Sequence, residues 1–204
     1  MLQTTFLKQG QAALRGFKAE IDLLTWRELA FVLVGGIALA GVGQVLGRTF
    51  HLAWPVPMSG SIAAALPRAF ILLVILLRVD RFGALTVAGV AEVSTKLAAG
   101  FVGWWPMSVV VPLLAAVAGD VIWQYLRHLP SRRLSLTLTG GGLCGVRVLL
   151  ALSFWTFLRL PVSQAGTHLA LLLGCVVVTN VVLGMIAGLL VSKSIGPRGG
   201  GKSK

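Results

Sequence analysis

Long apolar runs separated by short polar or charged stretches make up most of the chain. Each run has about the 20 residues that a helix needs to cross the hydrocarbon of a bilayer. The pattern predicts an all-α protein in which residues 29–193 form a membrane domain, an integral bundle of six transmembrane helices. The predicted spans are Leu29–Leu46, Ser61–Leu77, Phe82–Phe101, Met107–Leu126, Leu134–Leu158 and Gln164–Val191.

The two ends of the chain differ from this pattern. In residues 1–28 apolar side chains recur at positions 14, 17, 21 and 24 and charged ones occupy other faces, which is typical of an amphipathic helix at a membrane interface. A frayed basic leader is the alternative, whereas the apolar core and cleavage site of a signal peptide are missing. Residues 194–204 are rich in Gly, Lys and Ser, and we expect a disordered basic tail.

Composition excludes an ordinary soluble protein. The chain is 56% apolar and 12% charged, whereas soluble domains are about 45–50% apolar and about 25% charged. A net charge of +12 on a soluble domain would indicate nucleic acid as the partner. On this apolar background it indicates a lipid membrane, and no nucleic-acid partner is expected.

Basic residues are distributed unevenly between the two sides of the predicted bundle. Arg48 and Arg159 flank the predicted outer ends of the spans, and the other flanking Lys and Arg lie on the opposite side. By the positive-inside rule we expect both termini to be cytoplasmic, in a multi-pass membrane protein. The residues on the inner side are Lys8, Arg15, Lys18, Arg27, Arg78, Arg81, Arg127, Arg132, Arg133, Lys193, Arg198, Lys202 and Lys204.

The sequence contains no complete catalytic or metal-binding motif. It has no phosphate-binding loop, no paired-Cys zinc spacing and no H-E-x-x-H. The three histidines are scattered, and Cys144 and Cys175 lie in apolar runs, where we expect packing rather than a disulfide. We therefore predict a protein that is not an enzyme and that uses no cofactor or metal.

Ionisable and amide side chains lie inside the predicted spans. Glu92 and Lys96 share one face of the third span, and Arg68, Arg147 and Asn180 lie in the second, fifth and sixth. A charge at the bilayer centre costs about 2.5–3.5 kcal/mol on insertion scales, so these groups should face the bundle interior and find partners.

Two interpretations of these groups remain open. In the structural one, Glu92 pairs with Lys96, an arginine pairs with Asp120 of the fourth span or with carbonyls, and Asn180 bridges helices. In the functional one, the groups line a polar pocket that a solute reaches from outside. The surplus of positive charge favours a solute that carries a carboxylate or phosphate.

Tryptophans cluster at the predicted outer boundary: Trp54, Trp104, Trp105 and Trp155. Indole rings favour the headgroup level, which explains an interfacial belt. The alternative is a lid, formed by the adjacent Trp104 and Trp105 with Trp54, that stacks on a flat organic solute and excludes water.

A stripe of small residues runs along the first span. Gly36, Ala40, Gly43 and Gly47 follow helical spacing, so another backbone can approach closely. The spacing alone does not distinguish packing within the bundle from docking of a partner helix.

The chain resembles the substrate-binding S components of energy-coupling factor transporters, which are ABC transporters. The resemblance rests on six short-looped helices in about 200 residues, the small-residue stripe, and a third span with Gly83-Ala84, Ala88-Gly89, Glu92 and Gly100. The stretch Leu66–Trp123 carries most of it.

The resemblance implies a membrane receptor that captures a vitamin or related small organic nutrient from outside. It also implies docking onto a transmembrane coupling protein and two ATP-binding subunits that drive uptake. Glu92 would contact the ligand, as an acidic residue does in thiamine-type members, and the Gly36–Gly47 stripe would be the docking surface. Two features depart from the family: the stripe is mostly Gly rather than Ala, and Met1-Leu2 replaces the Met-His start of the metal-binding branch.

Two further functions remain as alternatives. The first is a non-transporting membrane scaffold, similar in size and hydropathy to the rod-shape protein family, in which the polar groups are structural. The second is a membrane-embedded enzyme.

Overall fold

A computed structural model describes residues 24–53, 59–100, 106–159 and 167–194, and within these ranges the chain is helical with no strand. Five helices are long and apolar enough to cross a membrane, which indicates a multi-pass membrane protein and confirms the all-helical prediction. The helices are α1 (Trp26–Ala53), α2 (Ser59–Val79), α3 (Ala84–Ala98), α4 (Val111–Leu126, preceded by a π-helical turn at Pro106–Val110), α5 (Arg132–Arg159) and α6 (Thr167–Ser194).

The short helix is α3. Its 15 residues give a length of about 22 Å, less than the roughly 30 Å of hydrocarbon in a bilayer. It is therefore shorter than the predicted span Phe82–Phe101, and the six-span topology stays a prediction. Much of α3 is buried, including Glu92 and Lys96, because a helix with two charged groups on one face is better placed inside the bundle than against lipid.

The first helix begins at a capping box. The Thr25 amide donates to Glu28 Oε2 at 2.8 Å, and the Glu28 amide donates to Thr25 Oγ1 at 3.4 Å, so two amides of the first turn are satisfied. Arg81, between α2 and α3, lies 3.5 Å from the same carboxylate. The predicted amphipathic helix and basic tail lie outside the described residues except for positions 24–28 and 194.

The start of α3 is held by a carboxylate from α4. Asp120 accepts hydrogen bonds from the Leu85 amide (3.1 Å), the Thr86 amide (2.9 Å) and Thr86 Oγ1 (2.6 Å). These amides belong to the first turn of α3, which has no acceptors of its own. Asp120 therefore caps a helix. Of the two kinds of partner that the structural interpretation gave to Arg147 or Arg68, Asp120 or carbonyls, Arg68 contacts a carbonyl, that of Leu39.

The turn between α2 and α3 is also held by α4. Asp80 and Gly83 both have positive φ, 44° and 90°, and glycine adopts that conformation without the steric cost of a Cβ. The Trp123 indole donates to Asp80 Oδ1 at 2.8 Å, which connects the turn to α4. The position of α3 is thus set at its start by two side chains of one neighbour.

We expect Asp120→Ala to lower the free energy of unfolding by about 1–3 kcal/mol, because the buried Leu85 amide and the partly buried Thr86 amide lose their acceptor. Unfolding of the purified protein in detergent, followed by circular dichroism, measures the change. Thr86→Val is the matched control, since it removes one donor and leaves the cap in place. A loss for Asp120→Ala no larger than for Thr86→Val would contradict the capping role.

Two helix hairpins are packed through glycines. A Cβ added at Gly140 of α5 would clash with the Gly184 carbonyl of α6, and one added at Gly184 would clash with the Gly140 carbonyl. At the other hairpin, a Cβ added at Gly60 of α2 would clash with the Gly47 carbonyl of α1. In both hairpins the backbones touch because no side chain separates them.

One end of the bundle is basic. At this end α1, α3 and α5 begin and α2, α4 and α6 end, as the contacts of Glu28 with Arg81 and of Asp120 with α3 require. We call it the basic end, and its cytoplasmic location stays a prediction of the positive-inside rule. Its basic residues within the described ranges are Arg27, Arg78, Arg81, Arg127, Arg132, Arg133 and Lys193.

Candidate functional site

A single buried carboxylate lies at the centre of the bundle among three cations. Glu92 of α3 is 2% exposed. Arg68 Nη2 of α2 donates to both carboxylate oxygens and Lys96 Nζ, one turn along α3, donates to Oε1. Arg147 Nη2 of α5 lies 3.6 Å from Oε1. Three helices therefore supply the charges of this cluster, which we call the Glu92 cluster.

The cluster has more positive than negative charge. Three cations face one carboxylate, which leaves a surplus of two positive charges. Arg68 also donates to the Leu39 carbonyl of α1 at 3.2 Å, whereas its buried Nε has no hydrogen-bond partner among the described residues. Arg68 Nε is therefore a donor to which no described residue offers an acceptor. The two surplus positive charges likewise have no carboxylate partner in the cluster.

A cavity of about 270 Å³ lies against the cluster. Its wall is drawn from five helices and includes the three cations Arg68, Lys96 and Arg147 together with Asn180. Small residues create the space, since the walls from α1 and α2 consist mostly of Gly and Ala. The small wall residues there are Gly43, Gly47, Gly60, Ala64, Ala65 and Ala69.

Glu92 lies behind the cations. It lines a smaller cavity of about 20 Å³, and Arg147 lies on the walls of both cavities. The resemblance implies that Glu92 contacts ligand directly. That contact stays a prediction, and in the structure Glu92 pairs with the three cations Arg68, Lys96 and Arg147 on the wall of the 270 Å³ cavity.

Asn180 lies on the cavity wall and forms a hydrogen bond within its own helix. It is 2% exposed, and its Nδ2 donates to the Val176 carbonyl at 2.8 Å, one turn earlier in α6. The side chain lies on the wall of the larger cavity. Sequence analysis grouped Glu92, Lys96, Arg147 and Asn180, with Arg68, as binding residues. The structure brings Arg68, Lys96, Arg147 and Asn180 together on this wall, and Glu92 lines the smaller cavity beside it.

The predicted aromatic lid lies outside the described residues. Trp54, Trp104 and Trp105 fall in residues 54–58 and 101–105, and Trp155 belongs to the last turns of α5. The lid and the interfacial belt both stay predictions.

The small-residue stripe of α1 faces into the bundle. Gly36 is buried and a Cβ at this position would lie 2.5 Å from Ala91 Cβ and 2.6 Å from the Ala88 carbonyl oxygen of α3. Ala40 is buried, and Gly43 and Gly47 line the larger cavity. Close approach by α3 and Arg68 explains the small residues at Gly36 and Gly43, whereas a Cβ at Gly47 would meet nothing within 4 Å beyond its own stretch of helix. The role of Gly36, Ala40, Gly43 and Gly47 as a partner-docking surface stays a prediction.

Sequence analysis missed three polar or sulfur-containing side chains on the cavity wall: Gln44, Ser61 and Cys144. Cys144 of α5 is buried and free, and its Sγ lies 3.7 Å from the Ala65 carbonyl oxygen. It precedes Arg147 by three residues and so shares its face, a spacing that would have placed it at the site. Ser61 also lines the cavity, but a serine at the start of an apolar run gives no such signal.

No family model matches the chain, and no curated protein or solved structure matches it either. Within the described ranges, no three His, Cys, Asp or Glu side chains lie together as a metal site would require.

Proposed function

We propose that the chain is a membrane-embedded binding subunit that captures a small organic anion in the cavity beside the Glu92 cluster. Following the resemblance, we assign it as the substrate-binding subunit of an energy-coupling factor transporter for a vitamin or related nutrient. The proposal has two parts, the chemistry of the ligand and the transport role, and they rest on different support.

The surplus of two positive charges on the wall of a cavity inside an apolar bundle carries the first part. Each unpaired charge at the bilayer centre costs about 2.5–3.5 kcal/mol on insertion scales. An anion in the cavity offsets this cost by pairing with Arg147, Lys96 and the unused donor of Arg68. Arginine binds carboxylate and phosphate groups through two parallel hydrogen bonds, so a ligand with either group fits.

The size of the cavity supports a small solute. Ligand sites generally occupy about 300–1,000 Å³, and this cavity, at about 270 Å³, lies just below that range. Gly47 and Gly60 on its wall lie at the end of α1 and the start of α2, away from the basic end. With the basic end in the cytoplasm, the cavity lies in the outer half of the membrane, where a nutrient arrives.

The transport role rests on the resemblance and on an energetic argument. Accumulation of a scarce nutrient needs an energy source, and the sequence has no phosphate-binding loop for ATP. In the proposed assembly a transmembrane coupling protein and two ATP-binding subunits supply it. Since Gly36 packs against α3, we propose that the coupling protein docks on another surface.

Binding measurements with the purified protein test the first part. Nicotinate, pantothenate, biotin and pyridoxal 5′-phosphate are suitable first probes, together with mass spectrometry of small molecules that co-purify. We expect Arg147→Gln to weaken binding of the retained anion by at least tenfold, because truncating one partner of a buried charge pair costs about 2–5 kcal/mol. Arg133→Gln, which removes the same charge from an exposed position of α5, should leave affinity unchanged.

Two results would contradict the proposal. Equal affinities of Arg147→Gln and Arg133→Gln would show that the cavity is not the binding site. A folded protein that binds no anion would favour the structural interpretation of the cluster and the scaffold alternative. Co-purification of a coupling protein and ATP-binding subunits tests the transport role separately.

A further inference from the structure

A second cavity lies at the basic end and is separate from the Glu92 cluster. Its volume is about 520 Å³, and none of its wall residues lines the 270 Å³ cavity beside the Glu92 cluster. It lies where α2 and α4 end and α5 begins. Its polar wall residues are Asp80, Arg127, Arg132 and Ser135.

The wall carries donors suited to an anion. Arg127 and Arg132 supply positive charge, and the one carboxylate on the wall, Asp80, already accepts a hydrogen bond from the Trp123 indole. The cavity also contains the start of α5, a helix of 28 residues, whose first-turn amides and dipole favour negative charge.

Ser135 is the observation that indicates a ligand. The residue is 1% exposed and lies on the cavity wall, and its hydroxyl has no hydrogen-bond partner among the described residues. A buried hydroxyl without a partner costs about 1–3 kcal/mol, so native structures rarely keep one. An acceptor atom in the cavity would satisfy it.

We propose that this cavity binds a phosphate ester, and that the phosphate is the headgroup of an anionic phospholipid in the adjacent leaflet. Arg127 and Arg132 would bind the phosphate oxygens, and Ser135 would donate to one of them. A lipid is favoured over free phosphate because apolar wall residues, Leu77 and Leu129, accompany the donors. The neighbouring Tyr125 and Leu134 are also exposed and offer a surface for acyl chains. Basic pockets between helix ends on the cytoplasmic side are typical binding sites for such headgroups.

Lipid retention by the full-length protein tests the proposal. The purified protein is titrated in detergent with phosphatidylglycerol, phosphatidylcholine or inorganic phosphate, and bound lipid is counted by native mass spectrometry. We expect saturable binding of phosphatidylglycerol, with at least fivefold weaker binding of phosphatidylcholine. Arg132→Gln and Ser135→Ala should each weaken phosphatidylglycerol binding at least fivefold, and Arg133→Gln, which lies outside the cavity wall, should change it less than twofold.

Each other outcome overturns the proposal. Equal losses in Arg132→Gln and Arg133→Gln would indicate attraction to basic charge in general rather than a site. Inorganic phosphate that displaces the lipid at comparable affinity would make free phosphate the ligand. Circular dichroism of each variant establishes that it is folded, and wild-type binding of phosphatidylcholine as tight as that of phosphatidylglycerol would contradict an anion site even without the variants.

Discussion

Replacing Glu92 with glutamine is expected to lower the free energy of unfolding by about 3–5 kcal/mol, the cost of breaking a buried ion pair by removing one partner. The carboxylate holds Arg68, Lys96 and Arg147 together, and without it three cations face one another inside the bundle. Unfolding of ligand-free protein in detergent, followed by circular dichroism, measures the change.

A second substitution provides the control. In Glu92→Gln/Arg68→Gln one cation is removed with the carboxylate, so the surplus returns from three positive charges to two. We expect this double variant to regain part of the lost stability. If the double variant is less stable than Glu92→Gln by the full cost of a separate Arg68→Gln substitution, the two side chains act independently and the cluster is not held by charge.

Replacing Gly36 with leucine is expected to prevent formation of the native bundle, and Gly36→Ala to cost about 1–3 kcal/mol as an overpacked core substitution. A Cβ at Gly36 meets the Ala88 carbonyl and the Ala91 methyl of α3, and a backbone carbonyl does not move aside as a long side chain does. Yield of monodisperse protein and its unfolding transition measure the effect.

Gly41→Leu is the matched control on the same helix. No heavy atom lies within 4 Å of a Cβ at Gly41, and the position is exposed. Normal yield and stability are therefore expected. A Gly36→Leu protein that is as stable as Gly41→Leu but fails in nutrient uptake would favour the stripe as a docking surface for a partner.

Hydropathy predicted the long helices well because span length follows from the thickness of the bilayer. It overestimated the third, because the same apolar average describes a lipid-facing helix and a short one buried among its neighbours. The interfacial segment and the tryptophan lid, which lie outside the described residues, remain predictions.

The site could be predicted in composition but not in pairing. Glu92 and Lys96 are four residues apart, so one turn of helix brings them together. The partner of Arg68 depends on how α2 is rotated about its axis. The position of a residue along a predicted span gives its depth in the membrane but does not specify that rotation. For the same reason sequence analysis left Asp120 or carbonyls as partners of an arginine, whereas Asp120 caps α3.

The small-residue stripe of α1 and the cavity at the basic end show a different limit of prediction from sequence. Small residues permit close approach of any backbone, so Gly36 carries no information about which helix approaches. Ser135 lies between two leucines in the sequence. Its hydroxyl and that of Thr139 are both buried without a partner among the described residues, and the position of Ser135 on the cavity wall distinguishes it.

The glycine contacts of the two hairpins have a mechanical consequence. Gly47 with Gly60, and Gly140 with Gly184, bring backbones into direct contact, so at these two points no side chain lies between the helices that could rotate to let them part. Each hairpin should move as a stiff arm. The 270 Å³ cavity beside the Glu92 cluster has wall residues from both hairpins, Arg68 on one and Arg147 on the other. The proposed solute would then enter or leave by a change in the angle between the two hairpins. The ion pairs of Arg68 and Arg147 with Glu92 would keep the hairpins together until they break.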